Sequence, residues 1–105
     1  MSVIRVAVIE SNGQYLVRPS VIFLSREPHD TLRVLNRTNQ TVVVSAIGSW
    51  PFEATAPVGI EAGDKETLSM ITSPSPGSYR FRIEVGANRI VALGNSDPVI
   101  IVDDP

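Results

Sequence analysis

Cysteine is absent from the 105-residue chain, and His29 is its only histidine. The absence of cysteine excludes disulfides, thiolate metal ligands and thiol-based catalysis, but it does not identify a cellular compartment. A single histidine also means that no site within one chain can hold two imidazole ligands. The two commonest strong ligands of transition metals are therefore almost missing from the sequence.

The chain also lacks a long apolar run, and it has very little lysine. No stretch reaches the roughly 18 apolar residues of a membrane-spanning helix, so no membrane span is predicted. Arg5 interrupts the short apolar N-terminus, and no small-residue cleavage site follows, so no signal peptide is predicted. We expect a cytoplasmic protein if Met1 is the native start, and a periplasmic or secreted one if an export signal was removed.

Positive charge comes almost entirely from arginine, since Lys65 is the only lysine. The formal net charge is −2, which argues against a nucleic-acid partner or an anionic membrane surface. With 43% hydrophobic residues, the chain is expected to form an ordered core rather than to be disordered. Its length predicts one domain over residues 1–105.

The clearest strand signal is the stretch Pro74–Val85, where a Pro/Gly turn leads into strict alternation. Its apolar positions are Tyr79, Phe81, Ile83 and Val85, and its charged positions are Arg80, Arg82 and Glu84. Because successive side chains on a strand point to opposite faces, this pattern predicts one buried and one solvated face. Two aromatic side chains, which bury ~150–250 Å² each, make this strand the expected centre of the core.

Other β-branched segments bounded by turn residues predict further strands. They are Val3–Ile9, Val21–Leu24, Thr31–Leu35, Thr41–Val44, Lys65–Ile71 and Val99–Val102, while Tyr15–Val17 is extended and Arg89–Leu93 is suited to pairing back on the preceding strand as a hairpin. No segment shows a helical period over ten or more residues. Seven or eight short strands, with a turn every ~8–12 residues, predict an all-β fold, a Greek-key β-sandwich or barrel. Residues 46–63 form the longest irregular segment.

Four segments follow one another in an order found in a known fold. They are a strand ending in Asn36, a glycine turn at 60–67, a Pro-Gly-x-Tyr-x-aromatic run at 76–81, and a closing strand at 96–102. Together they resemble the cupredoxin-like family, the fold of small blue copper proteins. The resemblance spans most of the chain and implies a cupredoxin-like sandwich.

The same resemblance implies a copper site, but the residues at the matching positions depart from it. Blue copper needs two histidines, a cysteine thiolate and usually a weak axial methionine. The resemblance places these ligands near Thr41 or Val42, at Ile83 or a neighbour, near Gly86 and near Val91, and none of these residues belongs to that ligand set. We therefore expect the scaffold without its metal or any other cofactor.

Two groups of residues are candidates for contacting a ligand or partner. Trp50 and Phe52 lie in the irregular segment, where large aromatics either form a binding site or plug the end of a sandwich. Arg80 and Arg82 share a strand face, with Arg33 or Arg89 expected near them. Arginine is favoured at interfaces, but these residues are equally typical of a charged outer sheet face.

His29, in a polar turn with Asp30, is the remaining candidate. It fits a general base in a small enzyme, a weak metal contact together with Met70 or carboxylates between two chains, or a solvated turn residue. No serine lies in a Gly-x-Ser-x-Gly motif, and the acidic residues near the C-terminus lack calcium-loop spacing. Two asparagines, Asn36 and Asn39, fit the glycosylation acceptor pattern.

The sequence therefore predicts a metal-free cupredoxin-like domain that is not an enzyme and acts as a binding or interaction module. The partner is an unknown protein or a small ligand, contacted through Trp50 and Phe52 or, in a homo-oligomer, through an open sheet edge. The alternative is a small enzyme or ligand carrier with a pocket near His29.

Overall fold

A computed structural model describes residues 2–26, 30–92 and 98–103. These ranges contain strands and no helix, and no segment of them could cross a membrane as a helix. The strands are β1 (Val3–Ser11), β2 (Gln14–Arg18), β3 (Val21–Leu24), β4 (Thr31–Asn36), β5 (Val42–Ile47), β6 (Val58–Ile60), β7 (Lys65–Ser69), β8 (Gly77–Val85), β9 (Ile90–Val91) and β10 (Val99–Val102).

The strands form two sheets that face each other. One has four strands in the order β2-β1-β4-β7, and the other has the order β3-β10-β8-β5-β6, with β9 also paired to β8. The predicted all-β sandwich is confirmed. Two neighbouring pairs, β1 with β4 and β3 with β10, are parallel, so the chain crosses between distant strands in addition to forming hairpins.

Strand β8 lies near the middle of its sheet, as its alternation predicts. It pairs with β5 on one side and with β10 and β9 on the other. Phe81, Ile83 and Val85 are buried, whereas Arg80 and Arg82 are exposed on the outer face. The apolar residues of β8 therefore form part of the core between the sheets.

The first aromatic of β8 is less buried than the alternation predicts. Tyr79 is half-buried and packs against the edge of the core, and its hydroxyl donates to the carbonyl oxygen of Ser75. The hydroxyl thus keeps a hydrogen-bond partner in the turn that leads into β8.

The segment at 46–63 is less irregular than the sequence predicts. Strand β5 continues to Ile47, and β6 pairs with β5 antiparallel, with Ile60 opposite Val42. The chain therefore leaves the sandwich at one end after β5 and returns along β6 to the other. We call these the Trp50 end, where β5 and β7 end and β8 begins, and the Asn36 end, where β4 and β8 end and β5 begins.

Candidate functional site

The positions that the resemblance assigns to copper ligands come together at the Asn36 end. The amide of Gly86 donates to the carbonyl oxygen of Thr41 at 2.8 Å. Val91 lies on β9, which pairs with the end of β8 next to Ile83. Val42 and Ile83 are both fully buried. The positions at which the resemblance implies ligands therefore lie close together in the fold, and two of them, Val42 and Ile83, hold buried aliphatic side chains.

These residues do not fit a copper ion. A blue copper centre requires imidazole nitrogens and a thiolate sulfur at fixed geometry, whereas this end offers valine, isoleucine, glycine and a threonine. Across residues 2–26, 30–92 and 98–103, no three histidine, cysteine, aspartate or glutamate residues are grouped so that they could hold a metal ion. The disagreement lies in the side chains and not in the backbone.

The buried side chain of Asn36 holds this end together, and the buried Thr38 is one of its partners. Its Nδ2 group lies 2.8 Å from the carbonyl oxygen of Gln40, 3.0 Å from that of Ile60 and 3.1 Å from that of Glu61. Its Oδ1 atom accepts from the backbone N–H of Thr38 at 3.0 Å and from its hydroxyl at 2.7 Å. The side chain of Asn36 therefore connects the end of β4 to the turn before β5 and to the end of β6. Because its amide is buried and hydrogen-bonded, the glycosylation acceptor pattern at Asn36 is not accessible in the folded chain.

The aromatic segment lies at the opposite end of the sandwich, the Trp50 end. It runs antiparallel to the end of β7, where Glu53 N–H donates to the carbonyl oxygen of Ser69 at 2.8 Å and Ile71 N–H donates to that of Pro51 at 2.9 Å. Trp50 and the positions matching the copper ligands are thus separated by the length of β5.

Within this segment, Phe52 is buried and Trp50 is half-buried. Their rings meet edge to face, with centroids 5.0 Å apart, and Phe52 forms an isolated bridge with the buried Met70. Trp50 Nε1 donates to the carbonyl oxygen of Ala54 at 2.8 Å. Phe52 therefore anchors the segment to the core, and Trp50 keeps part of its surface in solvent. Whether Trp50 contacts a partner stays a prediction.

The two candidate arginines of β8 lie on the outer face of the six-stranded sheet. Arg80 and Arg82 are exposed there, and Glu84 on the same face is half-buried. Arg33 does not lie near them, because it belongs to β4 in the other sheet. Arg89 lies in the turn between β8 and β9 of the same sheet, and its placement near them stays a prediction.

His29 lies outside the described residues, and its suggested roles stay predictions. Its neighbour Asp30 is buried, which contradicts a solvated position for this carboxylate. Asp30 Oδ1 accepts from Ser2 N–H at 3.1 Å, and Oδ2 accepts from Ser25 N–H at 2.9 Å. Both oxygens therefore hold backbone amides from two other segments, which is a structural role.

One exposed aromatic was not predicted from the sequence. Phe23 on the edge strand β3 is 66% exposed, and Val21 beside it is 39% exposed. Because Val21–Leu24 is apolar at every position, alternation does not indicate which face points outward. Only the pairing of β3 with β10 determines that Ile22 and Leu24 are buried.

Comparison with known proteins shows a likeness in fold only. No family model and no curated protein sequence matches the chain. A blue copper oxidase from Nitrosomonas europaea matches 99% of the chain with a TM-score of 0.60 and 16% identity. The multicopper oxidase mgLAC matches 99% of it with a TM-score of 0.56 and 14% identity.

The chain spans 40% of the length of each of these two oxidases. The likeness therefore concerns one domain-sized part of each neighbour. It agrees with the fold that the order of segments in the sequence predicts. The chain has a cupredoxin-like fold.

Proposed function

We propose that this chain is a metal-free cupredoxin-like module that binds a protein partner or a small ligand instead of transferring electrons through copper. The observation that carries the proposal is the aliphatic filling of the Asn36 end. Val42 and Ile83 are fully buried, at or next to the positions where the resemblance implies ligands. Aliphatic side chains have no atom that can coordinate copper, so this scaffold cannot use the family's redox chemistry. A fold without that chemistry can still bind a partner through its surface.

We also propose that the chain alone is not an enzyme. The two structural neighbours are oxidases by name, and the chain corresponds to 40% of each. Copper chemistry needs a complete ligand set, and this sequence has no cysteine and one histidine. A pocket near His29 remains the alternative, for an enzyme or a ligand carrier.

Trp50 is one of the residues that the sequence analysis names as a candidate partner contact. Self-association is the form of binding that can be measured before a partner is known. We expect Trp50→Ala to lower the association constant measured by sedimentation equilibrium if the Trp50 end is the contact. Tyr15→Ala is the matched control, because Tyr15 is also half-buried against the core but lies on β2, near the other end. Equal association of the wild type and both variants would remove Trp50 from the contact.

A further inference from the structure

The outer face of the four-stranded sheet carries charge of one sign only. Its charged side chains at outward-facing positions are Arg5, Arg18, Arg33 and Lys65. The acidic residues of these strands, Glu10 and Glu66, alternate with the outward-facing positions. They therefore belong to the opposite face of the sheet, the face that carries the buried core residues. We call this surface the basic face.

The four cations form an arc across all four strands. Arg5 and Arg33 are register partners in the parallel pair β1 and β4, so their Cα atoms are about 5 Å apart. Arg18 and Lys65 each lie one strand further out and two residues along, at a diagonal distance of about 8 Å from the nearer arginine. The arc is thus about 15 Å wide, three strand spacings.

No acidic side chain of the described residues pairs with this arc. Arg33 Nε donates to the hydroxyl of Thr67 at 3.2 Å, and the backbone N–H of Lys65, not its ammonium group, donates to Oδ1 of Asp64 at 2.8 Å. Like charges directly opposite each other on a sheet destabilise it. Asp64, in the turn before β7, is a carboxylate at the Lys65 end of the arc, but the outward positions of the four strands themselves carry four cations and no acidic residue. In a chain whose net charge is −2, this is a local segregation of charge.

We propose that the basic face binds an acidic polypeptide segment, which names the partner class of the binding module proposed above. Arginine forks match carboxylates in geometry as well as in charge. Carboxylates at alternate positions of an extended segment are about 7 Å apart, close to the spacing of the cations. Half-buried Ala7 and Leu35 lie between the cations and give the segment an apolar floor.

A polypeptide fits this face better than a nucleic acid does. No tryptophan, tyrosine or phenylalanine occupies an outward position on these four strands, so bases would have no aromatic ring on which to stack. The overall negative charge would also repel a long polyanion, whereas a short acidic segment meets only the local field of the arc.

The experiment measures fluorescence anisotropy of a labelled peptide of alternating glutamate and alanine, titrated with the full chain at low ionic strength. The test variant is Arg5→Gln with Arg33→Gln. The control is Arg89→Glu, which lowers the net charge by the same amount at an exposed residue of the turn between β8 and β9, in the other sheet. We expect the wild type to bind, the test variant to bind about tenfold more weakly, and the control to match the wild type.

Equal weakening by both variants would show that only net charge matters and would overturn the proposal, as would no binding by the wild type. Tighter binding of single-stranded oligothymidine or of phosphatidylserine vesicles, with the same sensitivity to the test variant, would replace the acidic polypeptide with another class of partner. Copper loading, described at the end of the Discussion, tests the metal-free module itself, so the two proposals can fail separately.

Discussion

At the scale of single residues, the buried side chain of Asn36 makes hydrogen bonds through both Nδ2 and Oδ1. Its amide and carbonyl groups satisfy polar backbone atoms of two segments, the turn before β5 and the end of β6. The sequence predicts that a strand ends at this residue, because the resemblance contains that feature. It does not predict the carbonyl partners, since Ile60 and Glu61 come from a segment expected to be irregular.

Removing this side chain is expected to destabilise the fold. Asn36→Ala leaves buried backbone groups without partners, so the free energy of unfolding should fall by about 2–4 kcal/mol. Urea denaturation followed by tryptophan fluorescence measures this. The control, Asn39→Ala, changes an exposed residue three positions along and should stay within about 0.5 kcal/mol of the wild type. Coincident transitions for both variants would contradict the role assigned to Asn36.

Among elements, β8 and β3 show what an alternating pattern can and cannot predict. The charged positions of β8 identify its solvated face, so Phe81 could be placed in the core from the sequence. Strand β3 has no polar position, and the exposed Phe23 could not be predicted. The parallel pairing of β1 with β4 was also beyond the sequence, because the two strands are far apart in the chain, and the basic face depends on it.

Because the two faces of β8 differ in burial, substitutions at adjacent positions of this strand should differ strongly in their effect on the free energy of unfolding. Phe81→Ala should cost about 3–5 kcal/mol, because it removes a fully buried aromatic side chain and leaves a cavity. Arg82→Ala, one residue further along, should change the free energy of unfolding by less than about 0.5 kcal/mol, since its side chain is exposed. Thermal or urea unfolding of the two variants side by side measures the difference. Similar losses at both positions would mean that β8 is not the core strand described here.

At the scale of the whole molecule, the chain has the cupredoxin-like fold but not the side chains that a blue copper site requires. The two sheets form a cupredoxin-like fold, yet the positions at which the resemblance implies copper ligands hold threonine, valine, isoleucine and glycine. A fold of this kind supports many functions, and the function depends on the side chains placed on it. The sequence was sufficient to exclude a blue copper site in one chain, because two histidines and a cysteine are required and are missing.

Copper loading tests this account most directly. The chain is incubated with Cu²⁺, passed through a desalting column and analysed for metal content and for visible absorbance, with a blue copper protein treated in parallel. We expect no stoichiometric copper and no thiolate-to-copper absorption band, because the chain contains no thiolate and no pair of imidazoles. One tightly held copper ion per chain would contradict the account.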